Sequence, residues 1–149
     1  MKDIQPTPWI LGFYGRSGIG KTYLVKKIVA QLVKEGFQVA VVKISDKAIS
    51  IDTEGKDTFL YGQAGAGTVV FSSAIETAFL IKEPLSSRAV VDLLGQNKAY
   101  EYIFIEGALE AWIPKVRLGD MPLRENTVLT YAGDYDTLFS QIKNKEIMK

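Results

Sequence analysis

The chain has 149 residues, 47% hydrophobic and 23% charged, which is ordinary usage for one globular domain; a single domain over residues 1–149 is expected. With 18 Lys+Arg against 17 Asp+Glu the net charge is +1, which tells against a general nucleic-acid binder. There is no Cys and no His, which excludes disulfides, thiolate- or imidazole-held metals and histidine bases and leaves carboxylates, Lys, Arg, hydroxyls and backbone amides.

Trp9–Tyr14 is an apolar run between Pro8 and Gly15 and predicts a buried strand. Thr22–Lys34 predicts a helix: Leu24, Ile28 and Leu32 form one i, i+4 row and Val25, Val29 and Val33 the next. Gly36 suits the position just past its end. Val39–Val42 is a second continuous apolar run and predicts another buried strand, parallel to the first. Lys43–Gly55 is a polar loop. Lys56–Ala64 predicts a short helix, and Thr68–Phe71 with Glu76–Ile81 predict two short strands, a hairpin at a sheet edge. Ser86–Leu94 predicts a helix capped by Ser86 or Ser87 and ended by Gly95. Tyr102–Ile105 predicts a buried strand leading into Glu106-Gly107, and Val128–Tyr131 a late strand. Tyr135–Lys145 predicts a terminal helix with Leu138, Phe139 and Ile142 inward. Strands alternating with helices give an α/β class: a mainly parallel sheet, helices on both faces, three layers.

The chemistry centres on Gly15-Arg16-Ser17-Gly18-Ile19-Gly20-Lys21-Thr22, which fits G-x-x-x-x-G-K-[ST] at every defined position. Glycines permit a wrap that aims successive N–H groups at one anion, and the helix opening here adds its unpaired amides. On this reading Gly15 to Thr22, with Tyr23 following, bind phosphate; Lys21 neutralises the β- and γ-phosphates; and the Thr22 hydroxyl is a hard ligand for Mg²⁺. Lys21 and Glu106 are the expected catalytic pair. Glu106 ends a buried strand, where it can hold Mg²⁺ or orient water. Asp46, just past the second strand, is a further metal candidate, and its alternative is a turn-forming Asp. Asp134 could accept from a guanine edge. No residue resembles a dedicated arginine finger; Arg16, Arg88, Arg117 and Arg124 could each be surface charge, and Arg16, in the loop itself, is best placed.

With these residues in hand, the chain resembles the molybdopterin-guanine dinucleotide biosynthesis protein B (MobB) family of P-loop proteins. The resemblance rests on Gly15–Thr22, on Val39–Lys43, on Ile51–Thr58 leading into Gln63-Ala64-Gly65-Ala66, and on Ile105-Glu106-Gly107 with Pro114-Lys115-Val116. It implies a GTP- and Mg²⁺-binding accessory protein, at most a slow GTPase. It also implies a homodimer that assists the molybdenum cofactor guanylyltransferase in joining GMP to molybdopterin. Asp52, Lys56 and Asp57 then belong to the family's loop beside the site. Family members carry histidines after the position of Lys43; here the stretch reads Ile44-Ser45-Asp46-Lys47-Ala48, so their role is dropped or passes to Asp46. The alternative on the same scaffold is a small-molecule kinase or ATP-dependent ligase. No apolar run is long enough to cross a bilayer and Met1–Ile10 lacks the apolar core of a signal peptide, so a cytoplasmic protein with no membrane partner is expected.

Overall fold

The computed structural model describes residues 6–147, so the first five residues of the N-terminal stretch read above lie outside it. The elements in chain order are β1 (Trp9–Tyr14), α1 (Lys21–Lys34), β2 (Val39–Lys43), α2 (Asp57–Gln63), β3 (Thr68–Ser72), β4 (Thr77–Ile81), α3 (Ser87–Asn97), β5 (Tyr102–Glu106), β6 (Lys115–Leu118), β7 (Thr127–Tyr131) and α4 (Tyr135–Lys143). They form two compact units. The larger holds the chain to Ser45 and from Val90 onward, and the smaller is Asp46–Ala89.

The larger unit is built on a five-stranded parallel sheet in the order β2-β5-β1-β6-β7. β1 and β2 run parallel, as expected, but β5 lies between them: Tyr102 pairs with Trp9 on one side and Val39 on the other. Side chains alternate across a strand, so β5 serves both faces. Tyr102 and Phe104 join Leu11 and Phe13 beneath Ile28 and Leu32 of α1 and Leu138 and Ile142 of α4. Ile103 and Ile105 face the other way, toward Ala108, Ile113 and α3 residues Val91 and Leu94. The result is three layers, as the alternating pattern predicts. Each large side chain fully buried here contributes about 1.5–3 kcal/mol. Gly12 sits on the second face, where a Cβ would run into Ala108 Cβ and Ile113; its absence lets the chain after β5 pack directly on β1.

Three expectations change. Val39–Val42 is a strand but not a buried one: β2 is an edge of the sheet and Val41 is 48% exposed. β6 was not foreseen, because Lys-Val-Arg-Leu carries two charges in four residues, yet Lys115 is fully buried. α3 does not end at Gly95; it runs through to Asn97, since Gly95 has no left-handed φ that would stop it. Its cap is as read, with Ser86 Oγ accepting from Ala89 N at 3.1 Å. Gly36 also behaves as read: at φ 94°, its N–H and that of Phe37 return to Val33 and Leu32 carbonyls and close α1.

In the smaller unit β3 and β4 pair antiparallel from Thr68↔Ile81 to Ser72↔Thr77 and make a two-stranded sheet of their own rather than an edge of the main one. Asp52 organises it, accepting from Thr58 Oγ1 at 2.8 Å, Thr53 N at 3.1 Å and Lys82 Nζ at 3.4 Å. Burial pushes the Asp52 carboxyl up, but the hydrogen bonds from Thr58 and Lys82 and the Lys82 charge outweigh it and hold the group below its usual range. Gly62 makes room for the Lys82 stem; a Cβ there would fall 2.7 Å from Lys82 Cε.

Candidate functional site

β1 is the central strand, and the chain leaves it at Tyr14 to make the glycine loop before α1. Gly15 passes against β6: a Cβ there would lie 2.6 Å from Leu118 O. Gly18 (φ 79°) and Gly20 (φ 104°) take the left-handed turns that the wrap needs. Gly20 is the N-cap of α1, and no side chain caps that helix, so its first-turn amides have no side-chain acceptor. Lys21 Nζ lies back across the loop, donating to Gly15 O at 2.7 Å and Arg16 O at 2.9 Å.

One strand over, β5 ends at Glu106, a buried carboxylate. Thr22 Oγ1 donates to Glu106 Oε1 at 3.2 Å, so the two predicted cation ligands meet although 84 positions separate them. Gly107 (φ 84°) lets the chain turn immediately: its N–H donates to Phe13 O at 2.8 Å, while Ile44 N donates to Glu106 O at 2.9 Å. The three strand ends are thereby tied at the carboxyl edge of the sheet, where open α/β sheets hold ligands. Between them opens a cavity of about 380 Å³ lined by Ser17, Gly18, Lys21, Thr22, Lys43 and Glu106. Amides and two ammonium groups on its wall suit a polyanion. A hydroxyl and a carboxylate within 3.2 Å of each other are the hard-oxygen donors that Mg²⁺ prefers.

Tyr23, also predicted, lines the same cavity. Arg16 is exposed, with Nε 3.8 Å from Asp120 Oδ1. Asp46 belongs to the smaller unit and lines a concavity there with Ile51 and Phe79; among the described residues no three acidic side chains cluster as a metal site would. Asp52, Lys56 and Asp57 are also in the smaller unit. Asp134 caps α4: it accepts from Thr137 Oγ1 at 2.6 Å and Thr137 N at 3.2 Å, and these bonds hold its carboxyl below the usual range. Arg117 donates to Met121 O and Arg124 to Ala108 O, each at 2.8 Å.

Sequence reasoning missed Lys43 as a wall of the cavity. The available signal was position, since Lys43 ends β2 in register with Glu106 at the end of β5. It also missed the support behind the loop. Tyr14 OH is shared with Thr127 Oγ1 at 2.6 Å, and the Arg124 guanidinium lies 4.8 Å over the Tyr14 ring. No local pattern announces contacts so distant in sequence.

A parallel α/β sheet with a phosphate-loop signature leaving its central strand is the class of protein that fold and site define. Residues 10–137 match the model of the family described as molybdopterin guanine dinucleotide synthesis protein B, and the chain belongs to that family. It is 30% identical over 135 residues to the molybdopterin-guanine dinucleotide biosynthesis adapter protein of Haemophilus influenzae, spanning 85% of this chain and 75% of that one. The Escherichia coli protein of the same description is 27% identical over 112 residues, 73% of this chain and 64% of that one. Among solved structures, Bacillus subtilis MobB superposes with a TM-score of 0.67 at 20% identity, covering 89% of this chain and 96% of that chain. The MobB homologue of Bacillus stearothermophilus gives 0.62 at 18% identity, covering 94% and 99%. At those identities the structures establish a shared fold.

Proposed function

We propose that the Gly15–Thr22 loop binds GTP with Mg²⁺, and that the protein is an accessory factor of molybdenum cofactor biosynthesis which assists the guanylyltransferase that attaches GMP to molybdopterin. The observation that carries the nucleotide reading is the uncapped start of α1 facing a cavity that also holds Lys21, Thr22 and Glu106. The names of the relatives, adapter proteins of this pathway, support the accessory role. A cytoplasmic homodimer is the form proposed.

In this scheme the loop amides take the phosphate oxygens, and Lys21 exchanges its two loop carbonyls for the β- and γ-phosphates. Lys43 adds a second positive group on the cavity wall. Thr22 and Glu106 would hold Mg²⁺, directly or through water; the ion, when bound, neutralises charge on the β- and γ-oxygens. Glu106 would also orient a water. With no His in the chain, turnover rests on positioning and charge neutralisation, and it is expected to be slow.

The test is a calorimetric titration of GTP against ATP with Mg²⁺, with turnover followed on the same sample. Tighter GTP binding with negligible turnover is expected. A preference for ATP, with turnover in the kinase range of roughly 1–100 s⁻¹ when a metabolite is added, would replace this reading by a small-molecule kinase.

A further inference from the structure

One cation on the wall of the cavity has no partner in the protein. Lys21 is tied to two loop carbonyls, and Glu106 takes the Thr22 hydroxyl. Lys43 lines the same cavity, yet among the described residues no hydrogen bond, ion pair or ring contact engages its ammonium group. The residue is exposed, so its long stem is free to follow a ligand.

Strand order fixes where along the site Lys43 acts. β1 delivers the glycine loop, β5 lies beside it, and the edge strand β2 lies beyond β5. Lys43 pairs in register with Glu106, and Ile44 N donates to Glu106 O at 2.9 Å, so the Lys43 backbone is held one strand past the carboxylate. Neighbouring strands stand about 4.8 Å apart, and Lys43 starts farther from the loop than Glu106 by that step. A cation held by Thr22 and Glu106 bridges the β- and γ-phosphates. Groups between that cation and the loop meet the inner phosphates. A group on the far side of Glu106 meets the end of the polyphosphate.

We propose that the Lys43 ammonium contacts the terminal phosphate of the bound nucleotide and sets the preference for a nucleoside triphosphate over the diphosphate. The proposal rests on the loop being a polyphosphate cradle. Lys21 serves both ligands, because both carry the β-phosphate. Lys43 serves only the longer one, whose γ-phosphate supplies the oxygens and the charge that a compact ammonium with three donors can meet. Lys43 gives up no internal bond on binding, whereas Lys21 exchanges two. Loss of the γ-phosphate removes the Lys43 contact and loosens the product.

The test titrates GTP and GDP, each with Mg²⁺, into the unaltered protein, Lys43→Met, Lys43→Gln, Lys43→Arg and Lys98→Met. Near physiological ionic strength, charges more than about 8 Å from the ligand are largely screened. Lys98 lies between α3 and β5, at the opposite edge of the sheet, so its substitution removes the same charge away from the site. The readout is the ratio of GTP to GDP affinity on one sample, which partial unfolding of a variant does not imitate. The unaltered protein should prefer GTP. Lys43→Met and Lys43→Gln should cut the ratio roughly tenfold, the scale of one lost charge-assisted contact. Lys43→Arg should keep most of the ratio and Lys98→Met all of it. No preference in the unaltered protein, equal weakening of both nucleotides or an unaltered ratio in Lys43→Met and Lys43→Gln, or as large a fall in Lys98→Met, would overturn the role of Lys43 and leave the cradle standing. Inorganic tripolyphosphate is the separate check: if the unaltered protein bound neither it nor GTP, the cradle would fail and this role with it.

Discussion

Lys21 and Lys115 carry the same side chain to opposite ends. Lys21 donates to two carbonyls of an open loop, bonds that an anion can replace. Lys115 is fully buried in β6, and its ammonium donates to the carbonyls of Glu110 (2.6 Å), Glu125 (2.7 Å) and Ile113 (2.8 Å). Burial pushes its pKa down, and the three carbonyls are what make a buried cation tolerable. It binds both connections flanking the strand, the one before β6 and the one before β7. Lys115→Met keeps the volume and takes the ammonium from the carbonyls of Ile113 and Glu125, while Glu110 O keeps the Ile113 N–H at 3.2 Å. The expected loss is about 2 kcal/mol of stability, at the low end of 1–3 kcal/mol per orphaned group. Urea unfolding checks this, and an unchanged midpoint would show that the bonds contribute nothing net. The sequence gives Lys21 away because its neighbours form a contiguous signature. Lys115 has no such neighbours; its partners come from both sides of it and only the fold assembles them.

At the scale of elements, legibility followed chemistry that is local. β1, α1 and β5 were readable because an unbroken apolar run or a helical stripe can satisfy burial in only one way. The same rule overreached for β2: a run of Val and Ala announces a strand but carries no information about strand order, and β5 took the inner position. β6 was hidden by its charges. α3 was shortened at Gly95, because glycine is a stop only where the chain turns left-handed, and here it does not. That last point has a consequence. Gly95 lies inside α3, and a Cβ there would meet nothing within 4 Å. Gly95→Ala should therefore stabilise the protein by about 0.5–1 kcal/mol through helix propensity and a less flexible unfolded chain. A thermal melt should move up by a few degrees. A lower melting temperature would mean that the position requires glycine for a reason the helix does not reveal.

For the whole molecule, the two units divide the residues that carry the family resemblance. The glycine loop, Lys43 and Glu106 are in the larger unit; the Asp52–Asp57 segment is in the smaller one, where Asp52 spends its acceptors on Thr58 and Lys82. The phosphate side of the site was legible because eight consecutive residues encode it. The place of Lys43 was not, since only strand pairing sets β2 beside β5 and Lys43 beside Glu106. The functional account stands on what the glycine loop holds. The most direct measurement is calorimetric titration of Mg²⁺–GTP into the unaltered protein and into Lys21→Ala, with thermal melts of both. The account predicts saturable binding to the first, a loss of at least about a hundredfold in the second, in line with losing a charge-assisted contact to phosphate, and matching melts. Equal affinity in the two proteins would contradict it.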